Sequence, residues 1–180
     1  MLSPASINAL TQLLWTTPED RVYALLDGAS VPDLLDRLYA NPRPAFECLF
    51  YGELAPDMAA VAPYLVALEQ GSRFSDWAIA QGWGNHWGYF AVARVDLRAL
   101  WFHLRLLNII YAPDGKPMLF RYYDPRVLRI FLPTCSAAQV KEVFGPADRF
   151  VVEAENSKVA LTYTHVNGEV QAGSRQIEST

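Results

Sequence analysis

RYYDPRVLR, residues Arg121–Arg129, packs three arginines, two tyrosines, an aspartate and a proline into nine positions. Its local grammar reads strand, cap, helix. Asp124 is a helix-capping residue, and Pro125 at the first helical position has its φ set for a helix and lacks only an N–H that would have no intrahelical partner. An aspartate there accepts backbone N–H groups at the helix start, a contribution of about 1 kcal/mol. The strand PMLFRYY runs up to the joint, so Tyr122 faces opposite to Arg121 and Tyr123. On the helix beyond it Arg126 and Arg129 lie three apart and share a side. Such a pair can hold a carboxylate, a phosphate or a partner's acidic patch, or it can pair internally with an acidic neighbour such as Asp27.

Upstream of this joint, Pro113-Asp114-Gly115 is a turn. Before it Asp96 caps a helix expected from Leu97 to Tyr111, with Leu97, Leu100, Trp101, Leu104 and Leu107 as its stripe. Phe102, Leu106, Ile109 and Ile110 make the rest of that cylinder apolar, so the helix is either central or partly covered by a partner. Earlier still, residues 1–15 form an amphipathic helix through Leu10, Leu13 and Leu14. RVYALL (Arg21–Leu26) is a buried strand that stops at a turn, Asp27-Gly28. Ser30 and Asp33 have capping-box spacing before a helix with Leu34, Leu35 and Leu38 inward. FECLFYG and APYLVALE are strands, SRFSDWAIAQG is a helix ending at Gly82, and Tyr89–Ala93 is a strand.

Downstream, the helix opened by Asp124-Pro125 halts at Pro133. A further helix starts at the Ser136/Gln139 capping box and stops at Gly145-Pro146. RFVVEAE and KVALTYTHV form a closing hairpin. This pattern predicts a single α/β domain (α+β being the variant) over residues 1–166, with a mixed β-sheet and helices packed on it. A polar tail is expected from 167 to 180.

Composition narrows the function. Hydrophobic residues are 52% and charged residues 19% of the 180, which excludes a largely disordered chain. Fifteen basic against nineteen acidic residues, with no basic run, remove the electrostatic footprint of a nucleic-acid binder. Cys48 and Cys135 fit no zinc or disulfide spacing, and His86, His103 and His165 are scattered, so no metal or cofactor is expected. The N-terminus has neither the basic nor the apolar region of a secretion signal, and the expectation is a cytoplasmic protein away from membranes.

Three candidate chemistries remain. Cys135 stands at a helix entry, where the dipole favours a thiolate nucleophile, although free cysteines are more often packed and inert. The Asp124/Arg126 cluster is the second. The third is GWGNHWGYF: its glycines fit neither G-x-G-x-x-G nor a P-loop, and Trp83 and Trp87 mark either a packed turn or a partner-binding hot spot.

The ordered series YALLDGA, LFYGEL with APYLVAL, HWGYF, the HLRLL helix, FRYYDPRVLRIFLPT and QVKEVFGP resembles the DUF 4123 domain family over about residues 20–150. The matching motif positions are Asp27, Gly28, Arg121, Tyr122, Tyr123, Asp124, Pro125, Arg126 and Arg129. The resemblance implies an effector chaperone or adaptor of the bacterial type VI secretion system, which binds a toxic effector in the cytoplasm and helps load it onto a VgrG-type spike. It carries no catalytic residues, and it leaves the motif positions to fold maintenance. The alternatives are an enzyme using Cys135 or the Asp124/Arg126 cluster, and an immunity-type protein that blocks an effector.

Overall fold

The computed structural model describes residues 2–177. Seven strands form one sheet: β1 (Arg21–Asp27), β2 (Phe46–Cys48), β3 (Pro63–Leu68), β4 (Gly88–Ala93), β7 (Ala147–Glu153), β8 (Val159–Val166) and β9 (Glu169–Gln176). Their spatial order is β2-β3-β1-β4-β7-β8-β9. A separate two-stranded hairpin consists of β5 (Ile109–Tyr111) and β6 (Pro117–Leu119). The helices are α1 (Pro4–Leu14), α2 (Leu34–Tyr39), α3 (Pro56–Val61), α4 (Arg73–Gly82), α5 (Leu97–Leu104), α6 (Pro125–Phe131) and α7 (Ala137–Phe144).

The side-chain period of two explains the layering. Val22, Ala24 and Leu26 of β1 enter one core with Leu10 and Leu14 of α1, Leu34 and Leu38 of α2, and Ala78 and Ile79 of α4. Tyr23 and Leu25 enter the other with Leu100 and Leu104 of α5, Leu128 of α6, and Val140 and Phe144 of α7. The sheet is thus sandwiched between two helical layers, the α/β single domain expected, and the β7–β8 hairpin expected to close it is followed by a further strand, β9.

Several sequence expectations need correction. Every strand pair is antiparallel, so the sheet is not mixed and the domain is of the α+β variety. The near-continuous apolar run RVYALL reflects burial on both faces, which helices impose on an antiparallel sheet as well as on a parallel one. Ser30 does not cap α2: its hydroxyl donates to Asp27 Oδ2 at 3.0 Å, and Asp33 takes the cap position with φ 54° and no side-chain bond.

The helix expected to reach Tyr111 ends at Leu104, passes through a 3₁₀ turn (Arg105–Asn108) and becomes β5. A tertiary bond helps fix that break, since Asn108 Nδ2 donates to the Leu49 carbonyl at 2.6 Å. Likewise β6 stops at Leu119, and Tyr122 and Tyr123 lie in a turn, both buried, instead of facing opposite ways on a strand. The polar tail expected from Asn167 is largely β9; residues 178–180 lie outside the described residues. Asn167 and Gly168, with φ of 53° and 84°, form the two-residue turn that β-hairpins favour.

Candidate functional site

The joint around α6 is built from buried carboxylates. Asp27, at the end of β1, is 1% exposed. It accepts bonds from the Ala29 N–H, the Ser30 hydroxyl and Arg121 Nη2. The neighbouring Gly28 is required by proximity: a Cβ there would lie 2.4 Å from the Ala62 carbonyl oxygen and 2.8 Å from that of Ala60. Asp124 caps α6 by accepting the Arg126 N–H at 2.9 Å, and the Arg126 guanidinium clasps the same carboxylate at 3.0 and 2.7 Å. Burial pushes the Asp124 carboxyl up, but Arg126, with Arg121 beyond it, outweighs burial and holds it below the usual carboxylate range.

Glu153 joins two motifs that are far apart in sequence. This residue, 2% exposed at the end of β7, accepts the Gly84 N–H on Oε2 at 2.5 Å and meets His86 Nδ1 with Oε1. Its backbone carbonyl accepts Arg129 Nη1 at 2.7 Å. Strand β7 therefore fastens both the glycine–tryptophan loop and α6. Trp83 belongs to the core: its ring stacks on Phe90 and its Nε1 donates to the Ser157 carbonyl at 2.7 Å. Trp87 is half-buried against Trp77, with ring centroids 5.0 Å apart. All four residues singled out for partner contact thus make internal contacts: the two tryptophans pack, Arg126 pairs with Asp124, and Arg129 caps a strand carbonyl. Arg121, rather than the Arg126/Arg129 pair, is the arginine bonded to Asp27.

Cys135 is only half-buried, yet burial pushes its thiol above the ordinary value, and Sγ lies 3.5 Å from the Phe131 carbonyl oxygen. A poised thiolate has the opposite shift. Among the described residues no three His, Cys, Asp or Glu side chains converge as a metal-ligand set, and no helix is long and apolar enough to cross a membrane.

The exposed candidate surface lies elsewhere. Ile109, Ile110 and Tyr111 of β5, with Met118 and Leu119 of β6, are all at least 40% exposed, Tyr111 reaching 72%. A two-stranded hairpin alone is marginal in water, and here neither face is well covered. The chain enters it past Phe102 and Leu106, 63% and 56% exposed. At its base Phe50, Tyr51, Leu54, Met58, Ile109 and Leu119 line an apolar groove of about 340 Å³. Arg105 flanks this region, its guanidinium stacked between the rings of Tyr51 and Trp101 at 3.8 and 4.2 Å from their centroids.

The sequence alone marks Phe102, Leu106, Ile109 and Ile110 as apolar off the stripe. It does not mark Tyr51, Met58, Met118 or Leu119, whose exposure depends on the hairpin. Glu153 is also missed; its only signal is one acid closing the apolar run RFVVE.

A family model described as "Domain of unknown function (DUF4123)" matches residues 22–142, well over half of the chain. The chain belongs to the DUF4123 family. The match begins in β1 and ends in α7, so it contains the Asp27–Arg121 and Asp124–Arg126 pairs and the whole exposed hairpin. Glu153 and the β7–β8–β9 meander of this DUF4123 chain lie beyond it. No curated protein and no solved structure matches.

Proposed function

We propose that this DUF4123 chain is a non-catalytic adaptor that holds a secreted type VI effector in the bacterial cytoplasm and helps load it onto a VgrG-type spike. The resemblance of the motif series supplies the system. The observation that carries the reading is the β5–β6 hairpin, an apolar projection whose side chains are only partly covered by the rest of the described residues. Ile110 and Leu119 are 40% and 52% exposed, so covering what remains of each contributes about 1 kcal/mol, and several such residues together can hold a partner. The occupant is an effector segment with its own apolar face, and Arg105 at the flank favours one carrying an acidic or aromatic residue beside it.

Co-expression with the effector and the spike protein encoded by adjacent genes tests this. The adaptor co-purifies with the effector, and the double variant Ile110→Asp/Leu119→Asp loses the complex while keeping its thermal midpoint. Toxin activity of the effector persists in the complex, as an immunity protein would not allow. Failure of the wild-type chain to retain any adjacent effector or spike protein overturns the proposal.

A further inference from the structure

Among the described residues strand β9 is the open edge of the seven-stranded sheet and pairs only with β8, over Glu169–Gln176. Gln171 through Gln176 are exposed. Native edges are usually blunted by shortness, proline, lysine or a bulge. The opposite edge, β2, is three residues long. By contrast β9 has eight residues, EVQAGSRQ, with neither proline nor lysine, and an unbroken register against β8.

The direction of its free backbone groups can be read off. The Ile177 N–H donates to the Lys158 carbonyl at 2.8 Å, and the two-residue turn closes on the Val166–Glu169 pair. Alternate residues of an antiparallel strand face the same neighbour. Glu169, Gln171, Gly173 and Arg175 therefore turn their N–H and C=O groups toward β8. Val170, Ala172, Ser174 and Gln176 present theirs outward.

We infer that two copies of this chain associate through β9, antiparallel about a two-fold axis at Ala172, merging their sheets into one. In this register Ala172 faces its own copy, and Val170 faces Ser174 of the second copy. These are the residues with outward backbone groups, so they form the hydrogen-bonded pairs. Glu169 then falls opposite Arg175 of the second copy in a non-hydrogen-bonded pair, where side chains approach most closely. The interface is self-complementary, as a two-fold contact requires. Arg175 is already on the correct face, its Nη2 3.2 Å from Gln12 Oε1 of α1, and Glu169 shares that face by the period of two. An axis at Gln171 or Gly173 keeps the outward groups in the ladder but sets Glu169 opposite Gly173 or Ile177 instead of Arg175. An axis at Val170 or Ser174 would separate Glu169 from Arg175. Only the Ala172 register satisfies both backbone and charge.

Sedimentation of the full chain without effector tests this, and the hairpin variants of the preceding section leave it unaffected. The wild type is a dimer at concentrations up to about 100 µM. Ala172→Pro removes an N–H that β8 does not use, and proline is tolerated at that position of an edge strand; the variant keeps its circular dichroism and sediments as a monomer. Glu169→Arg and Arg175→Glu each weaken the dimer about tenfold, since each sets two like-charge pairs in the interface. The double reversal restores it to within about threefold. These two exposed positions decide the matter even if Ala172→Pro does not fold. A chain monomeric throughout that range, or a dimer indifferent to the charge reversals, overturns the inference.

Discussion

Arg121 Nη2 lies 2.5 Å from Asp27 Oδ2, joining the segment before α6 to the end of the central strand β1. The pair is asymmetric: the Asp27 side chain is 2% exposed and that of Arg121 43%. Removing the arginine strands a buried carboxylate, whereas removing the carboxylate leaves a cation that water can solvate. Arg121→Met should therefore cost about 3 kcal/mol, toward the lower end for a broken buried pair. Asp27→Asn, which retains the contact with the Ala29 N–H, should cost about 1–2 kcal/mol. In urea unfolding the double variant should be no less stable than Arg121→Met alone. Additive losses would show that the two residues act independently.

Acid sensitivity should concentrate in two capped carboxylates. Burial pushes Asp20 up, but Arg149 Nη2 at 2.8 Å and the Thr16 and Thr17 donors outweigh it and hold its pKa far below the ordinary value. Asp124 is lowered in the same sense. A depressed folded-state pKa contributes stability that is complete above the unfolded value, near 4, and is lost as pH falls toward the folded one. Wild-type stability should thus decline from about pH 4 downward. Asp20→Asn and Asp124→Asn should each be less stable at pH 7 and show a shallower decline across pH 4–2. A parallel slope in all three proteins would remove these residues from the acid response.

Gly28 is needed for space and not for an unusual φ. Its N–H donates to the Ala62 carbonyl at 3.0 Å, and the Cβ of an alanine would meet that same oxygen. Because the obstacles are backbone atoms, β1 and the α3–β3 connection must separate. Gly28→Ala should cost about 1–3 kcal/mol, the usual range for overpacking. Gly115→Ala is the control: its φ is 80° but nothing lies within 4 Å of the added carbon, so about 1 kcal/mol is expected. Equal losses at the two positions, measured by thermal unfolding, would contradict the steric reading.

What could be read from sequence was local. Asp124-Pro125 and Ser136 with Gln139 carry their instructions within four residues, and both caps form as expected. The apolar pattern that would continue α5 through Tyr111 is local too, and it is overridden where Asn108 bonds to Leu49 across 59 positions. Strand β9 is nearly invisible to hydropathy because an edge strand with exposed side chains has no apolar alternation to display; only Asn167-Gly168 announces it. Glu153 illustrates the same limit in the site. Its partners Gly84, His86 and Arg129 come from two elements, and nothing near Glu153 in the chain points to them.

Cys135 is where the proposed adaptor and the catalytic alternative predict different outcomes. Its position just before the α7 cap Ser136 favours a thiolate in principle, because a helix N-terminus stabilises negative charge. The surroundings reverse this: burial raises the thiol, and Sγ donates to the Phe131 carbonyl oxygen, an acceptor that stabilises S–H and not S⁻. Alkylation of Cys135 by iodoacetamide at pH 7 should accordingly run no faster than that of a free thiol in an unstructured peptide. Cys135→Ser should retain effector capture and lose less than about 1 kcal/mol of stability, the size of a small buried change that keeps a hydrogen bond. Rapid alkylation that abolishes function without unfolding the chain would instead establish a nucleophile here, and with it the catalytic reading.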